Sequence, residues 1–176
     1  MRIVAGSMRG RRIEAPQGRA TRPTTDRLRE GIASMILSAR ELDLGGASVL
    51  DAFAGSGARG LELVSRGASR CTFCERDRKA AGIVRRNCAN LGLVAPTYSV
   101  VVADVLKRAQ SGLPGAPFDI VFLDPPYAMG ADVVAGLVRS LRETGQLAPG
   151  CNVVYERSDD SPRMEDRKST RLNSSH

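Results

Sequence analysis

Phe118-Asp119-Ile120-Val121-Phe122-Leu123-Asp124-Pro125-Pro126-Tyr127 reads as a buried strand that stops abruptly. Phe118, Ile120, Val121, Phe122 and Leu123 make a short apolar run, suited to a central strand of a parallel sheet. Asp124 puts a carboxylate at the strand's C-terminal end. The two prolines cannot donate to a ladder and fix φ, so the chain leaves the sheet in a stiff turn. Tyr127 closes that turn with a flat ring and a polar tip. Ligands of open α/β sheets bind at the carboxyl ends of the strands, so acid, rigid turn and ring together read as a site. A plain surface turn needs neither the acid nor the ring.

Upstream, Val49-Leu50-Asp51-Ala52-Phe53-Ala54-Gly55-Ser56-Gly57-Ala58-Arg59-Gly60 places G-x-G-x-x-G between a strand and a helix. The glycines allow a tight turn and a close backbone approach to a ligand. Glu75 follows eighteen residues beyond Gly57, at the end of the next strand, in place for ribose hydroxyls. A glycine loop alone fits a nicotinamide dinucleotide equally well. Asp51 before the loop and Asp104 after the third strand pull the other way. Asp51 would face a cationic ligand group, and Asp104 could bond an adenine amino group. A ligand with a cationic amino-acid end and an adenosine end fits better than a pyrophosphate.

Outward from these two stretches, strands and helices alternate. Strands are expected at Ser48–Asp51, Arg70–Glu75, Tyr98–Ala103, Phe118–Leu123 and Asn152–Glu156. Helices are expected at Ala58–Arg66, Asp77–Asn90, Asp104–Gln110 and Ala131–Thr144, the last burying Val133, Val134, Leu137, Val138 and Leu141. This alternation implies right-handed βαβ units and a mostly parallel sheet with helices on both faces. Ahead of it, Arg2–Ala5 and Arg11–Glu14 flank a glycine-bounded turn and read as a hairpin. Pro16 to Pro23 reads as a polar linker. A helix then opens with Thr24 or Thr25 as N-cap and Asp26 in its first turn. Leu28, Ile32, Met35, Ile36 and Ala39 form its apolar stripe, leaving Arg22, Arg27 and Arg29 off it to meet a ligand.

The net charge is +7, and residues 1–40 carry most of it, with nine arginines against three acids. A basic arm on a near-neutral body points to a polyanion partner. Arginine over lysine favours phosphate and base recognition. Hydrophobic content of 42% and charged content of 26% suit a soluble domain. No apolar run approaches the ~20 residues needed to cross a bilayer, and the N-terminus lacks a signal-peptide pattern. Cys71, Cys74, Cys88 and Cys151 fit a reducing compartment, so the cytoplasm is expected. Cys71-x-x-Cys74 has no second pair, and residues three apart in a strand face opposite sides, so buried structural thiols are expected and no metal.

Taken together, Val49–Glu62, Glu75, Asp104 and Asp124-Pro-Pro-Tyr127 resemble the motif set of the class I S-adenosylmethionine-dependent methyltransferases, with a Rossmann-like α/β fold. Asp-Pro-Pro-Tyr is typical of those that methylate exocyclic amino nitrogens. Arg2-Ile-Val-Ala-Gly6, Arg9-Gly-Arg11 and Thr21-Arg-Pro-Thr-Thr-Asp-Arg-Leu-Arg-Glu30 are similar to the RsmD family of bacterial small-subunit ribosomal RNA guanine-N2 methyltransferases. The resemblance covers residues 1 to about 158. It implies S-adenosyl-L-methionine as cofactor, held by Asp51, Phe53, Gly55, Gly57, Glu75 and Asp104. It implies catalysis at Asp124, Pro125, Pro126 and Tyr127, with an Asp124 of ordinary pKa, roughly 4, aiming the amino lone pair rather than acting as an obligatory base. It implies 16S ribosomal RNA or a small-subunit assembly intermediate as partner, gripped by Arg9, Arg11, Arg22, Thr25, Arg27 and Arg29, and a monomer. Three divisions follow: a basic arm over 1–40, a catalytic domain over 41–160, and a tail over 161–176. Adenine-N6 methylation of DNA or RNA, a nicotinamide oxidoreductase, and an RNA-binding fragment without catalysis stay open as alternatives.

The tail departs from that family. Asp166 to His176 has no apolar periodicity and resembles the translation of a sequencing adapter, so a non-native or disordered tail is expected. With it comes the expectation that the final strands are missing and the sheet ends at the fifth strand.

Overall fold

The computed structural model describes residues 1–17, 26–156 and 172–175. Arg22, Thr25, the Thr24 alternative for the cap and most of the Pro16–Pro23 linker lie outside the described residues. The elements run α1 (Asp26–Ala39), β1 (Ser48–Asp51), α2 (Ala58–Ser65), β2 (Arg70–Cys74), α3 (Arg78–Asn90), β3 (Tyr98–Val101), α4 (Val105–Arg108), β4 (Phe118–Leu123), α5 (Ala131–Glu143), β5 (Leu147–Glu156) and β6 (Leu172–Ser175). Strand order is β3-β2-β1-β4-β5-β6, and every neighbouring pair is parallel. This is a Rossmann-like α/β architecture with helices on both faces of the sheet. The sheet does not stop at β5: Leu172–Ser175 of the tail pairs with Val153–Glu156.

Period-2 alternation sends each strand's residues to two cores. Val49, Phe73, Ile120, Phe122 and Val154 meet α1, α2 and α3 on one face. Leu50, Val121, Leu123, Val153 and Tyr155 meet α4 and α5 on the other. Phe118 joins Val121 on that second face, three residues apart, because the β4–β5 register shifts between Phe118 and Ile120. Cys71 and Cys74 fall on opposite faces, and all four cysteines are free and buried. In α5, Val134, Leu137, Val138 and Leu141 are buried, whereas Val133, expected among them, is 39% exposed.

The N-terminal hairpin reduces to one antiparallel bridge, Arg2 with Arg12. Side-chain burial and carboxylate capture hold it down. Ile3, Met8 and Ile13 enter the first core. Glu62 of α2, 2% exposed, accepts from the amides of Val4 (Oε2, 3.0 Å) and Ala5 (Oε1, 3.0 Å) while pairing with Arg66. Gly6 makes the close approach: φ is +89°, and a Cβ there would stand 2.0 Å from the Ser65 carbonyl oxygen. No helix among the described residues is long and apolar enough to cross a membrane.

Candidate active site

The strand order reverses direction between β1 and β4, since β2 and β3 lie on one side of β1 and β4 and β5 on the other. A crevice opens at such a switch point, outside the carboxyl ends of the strands. Asp51 and Asp124 stand at the two ends that border it. The loop after β1 is pinned to both neighbours: Ala52 N–H donates to Phe122 O (3.1 Å) and Ala54 N–H to Cys74 O (3.0 Å).

Asp51 is 2% exposed and accepts from the amide of Gly60 at 3.2 Å, under the first turn of α2. Loss of water outweighs the attraction of Arg59 and pushes its carboxyl up to about 7. Gly60 makes that burial compatible with packing, because a Cβ would lie 2.5 Å from Cys71 Sγ. Glu75, also buried, accepts from Gly55 N–H through Oε2 and from Asp77 N–H through Oε1, each at 2.9 Å. Asp104 caps α4, taking Leu106 N–H on Oδ1 at 2.9 Å. Phe53 is half-buried against the second core, and Gly57 caps α2 with φ 81°.

Asp124 follows β4 directly, Pro125 is half-buried, and Pro126 and Tyr127 are exposed, Tyr127 by 62%. Met129 N–H donates to Pro126 O at 2.9 Å and closes the turn. The Asp124 side chain is 39% exposed, yet burial raises its pKa above the ordinary carboxylate value, with Glu156 adding to the rise and Arg59 opposing it. The expectation of an ordinary pKa is therefore corrected: the carboxyl sits in a partly dry, acid-rich corner.

Arg59 is the residue the sequence reading missed. It occupies a variable position inside the glycine motif, and its side chain is only 11% exposed. Nε and Nη2 fork onto Glu156 at the end of β5, both at 2.7 Å, and Nη2 also reaches Asp124 Oδ2 at 2.9 Å. An arginine in the first turn of a helix opposes the macrodipole, which was the available signal that it answers acids elsewhere.

The basic arm divides. Arg9, Arg11 and Arg27 are exposed; Arg11 Nη2 donates to Asn90 O at 2.5 Å. Arg29, expected to be free for a ligand, is 2% exposed. Its Nη2 donates to Arg2 O at 2.9 Å and pairs with Asp26, so it ties α1 to the hairpin. Helix α3 adds Arg78, Lys79, Arg85 and Arg86, all exposed, beside the hairpin. Arg86 pairs with Glu14 at 3.0 Å.

The acids test which ligand the crevice accepts. Glu75 already takes the Gly55 amide, and Asp124 and Glu156 share the Arg59 guanidinium, whose charge also reaches Asp51. A pyrophosphate would meet carboxylates where it needs free amides. A ligand carrying a cation beside a ribose fits the same residues.

Comparison with known proteins agrees. The family model described as "Conserved hypothetical protein 95" matches residues 1–174. Ribosomal RNA small subunit methyltransferase D of Escherichia coli K12 is 37% identical over 157 residues, covering 89% of this chain and 74% of that protein. The Haemophilus influenzae protein of the same name is 32% identical, covering 92% and 81%. The structure of a hypothetical protein of Thermus thermophilus superposes with a TM-score of 0.76 at 30% identity, covering 93% of this chain and 89% of that one. The chain belongs to this family, that of the RsmD methyltransferases.

Proposed function

We propose that this protein methylates small-subunit ribosomal RNA, moving the methyl of S-adenosyl-L-methionine to the exocyclic N2 of a guanine, of the position-966 type. The observation that carries it is Asp124-Pro-Pro-Tyr127 at the carboxyl end of β4, facing the Asp51 loop across the switch point. When bound, the cofactor supplies a methyl on a positively charged sulfur. Asp51, Glu75 and Asp104 would hold its cationic, ribose and adenine ends, with Phe53, Gly55 and Gly57 along its length.

A guanine amino group is a poor nucleophile because its lone pair is delocalised into the ring. Asp124 and the Pro125 carbonyl accept its two N–H bonds, and the Pro-Pro turn fixes both acceptors, so the lone pair is aimed at the methyl. As the nitrogen takes the methyl, whose bond to sulfur breaks with its electron pair staying on sulfur, it becomes acidic and sheds one proton to the Asp124 carboxylate. The raised pKa of that carboxyl makes it a better acceptor than a free aspartate. Tyr127 stacks on the extruded base, a contact worth about 1–3 kcal/mol. Arg9, Arg11 and Arg27, joined by the exposed cations of α3, grip phosphates and position the target. Arg22 and Thr25 keep the same proposed role in the arm.

Mass-spectrometric mapping of the nucleotide methylated in unmethylated small-subunit RNA tests this. Methyl-N2-guanine is expected, with Asp124→Ala abolishing transfer while cofactor affinity by calorimetry stays nearly intact. A methyl on adenine N6 would overturn the base assignment, and NADH binding would overturn the cofactor.

A further inference from the structure

Two carboxylates, Glu156 and Asp124, converge on the Arg59 guanidinium, and the geometry of that cluster is specific. Glu156 takes the Nε–H and one Nη2–H of Arg59 at 2.7 Å each, a two-point fork that fixes the plane of the guanidinium. The other Nη2–H then has one direction left, and Asp124 Oδ2 lies along it at 2.9 Å. The side chains of Arg59 and Glu156 are 11% and 14% exposed, so water screens that pair weakly and the more exposed Asp124 leans on a fixed guanidinium. The three residues come from three elements, α2, β4 and β5, and meet only through the fold.

We infer that Arg59, clamped by Glu156, is a positioning residue for Asp124: it holds Oδ2, sets the rotation of the carboxylate, and leaves Oδ1 to accept the target amino group. The inference rests on the methyltransferase reading. Without the clamp Asp124 turns about its side-chain bonds, and misplacing an acceptor by about 1 Å costs on the order of 100-fold in rate.

The groups facing Asp124 give the inference a sign. Arg59 on α2 lowers its pKa, Glu156 on β5 raises it, and Asp51 on β1 is coupled to it. Asp124 must be ionised to accept, so activity falls as pH drops through its pKa. Removing Arg59 moves that acid limb to higher pH; neutralising Glu156 moves it to lower pH.

The test compares wild type, Arg59→Met, Arg59→Lys and Glu156→Gln. It reads methyl transfer to small-subunit RNA across pH, cofactor affinity by calorimetry, and the Asp124 carboxyl titration by carbon NMR. Arg59→Met should lower kcat on the order of 100-fold, leave cofactor Kd within about threefold, and raise both the acid limb and the Asp124 titration. Arg59→Lys should return the acid limb towards wild type but recover only part of kcat, since an ammonium offers no fork. Glu156→Gln, which keeps Arg59 and guards against a misfolded Arg59→Met, should lower kcat while shifting the limb the opposite way. A wild-type rate and an unmoved Asp124 titration in Arg59→Met overturn the inference. Cofactor affinity falling as far as kcat also overturns it, making Arg59 a cofactor ligand. Wild type with no transfer to RNA, but with the Asp124 titration shifting in both variants as stated, refutes the proposed function and supports the clamp.

Discussion

Asp51→Asn should make the protein more stable at pH 8 and a poorer binder of its cofactor. Asp51 is 2% exposed, and its carboxyl is pushed up from 3.8 to about 7. At roughly 1.4 kcal/mol per pKa unit, ionising it in the folded chain costs about 4 kcal/mol more than in the unfolded chain. The folded pKa lies above the unfolded one, so the native state binds the proton more tightly. The resulting stabilisation is fully present below about pH 4, declines as pH rises, and is gone above about pH 7. Asparagine does not titrate there, and its Oδ1 can keep the 3.2 Å contact from the Gly60 amide. The stability difference between mutant and wild type should therefore grow by up to about 4 kcal/mol between pH 4 and pH 8. Urea unfolding at a series of pH values measures this, and the difference between the two curves cancels the groups that do not interact with Asp51. Calorimetry at pH 8 should show weaker cofactor binding, because the charge that would meet a cation is gone. A difference that stays flat with pH, or a less stable mutant at pH 8, would refute the account of Asp51 as an acid held ionised against its surroundings for the sake of a ligand.

Glu62→Ala should release the N-terminal hairpin, because it strands two half-buried amides and Arg66, at a cost of about 3–5 kcal/mol. Hydrogen exchange at Val4 and Ala5 should rise well above that of β1; equal protection in mutant and wild type would show that apolar burial alone seats the hairpin. Gly60→Ala should destabilise by about 1–3 kcal/mol, since the added methyl overpacks against Cys71 and Phe73. An unchanged urea midpoint would mean that α2 shifts freely over β2.

The fold was legible where one stretch of chain carries its own reason. Phe118–Leu123 is a short apolar run cut off by an acid and two prolines, and Val49-Leu50 is closed by Asp51 ahead of a glycine loop; each strand ends at or just before its acid. Asp77 and Asp104 announce α3 and α4 because the cap is local. Arg29 was misread because charge was taken to mark the solvent face. Helix α1 is in fact turned so that Arg29, Ile32, Ala33 and Ile36 face inward. What permits it is a carbonyl 27 residues earlier, in the hairpin, and no local pattern shows that. The strand β6 was missed for a similar reason: Leu172–Ser175 lacks the apolar run of a central strand, and an edge strand needs a free neighbour more than it needs hydrophobicity.

The same limit explains the site. Each acid could be placed along the chain: Asp51 ending β1, Glu75 just beyond β2, Asp124 just beyond β4. How they share charge could not be read, because Arg59 meets Asp124 and Glu156 from 65 and 97 residues away. That sharing alters the chemistry. With Asp124 and Glu156 both on Arg59 and Asp51 within their field, the corner is short of positive charge, and burial raises Asp51 and Asp124. A cationic ligand arriving there would supply the missing charge, lower both pKa values and favour the ionised form of Asp124. The gain in RNA affinity that cofactor brings should therefore grow as pH falls and Asp124 takes up its proton.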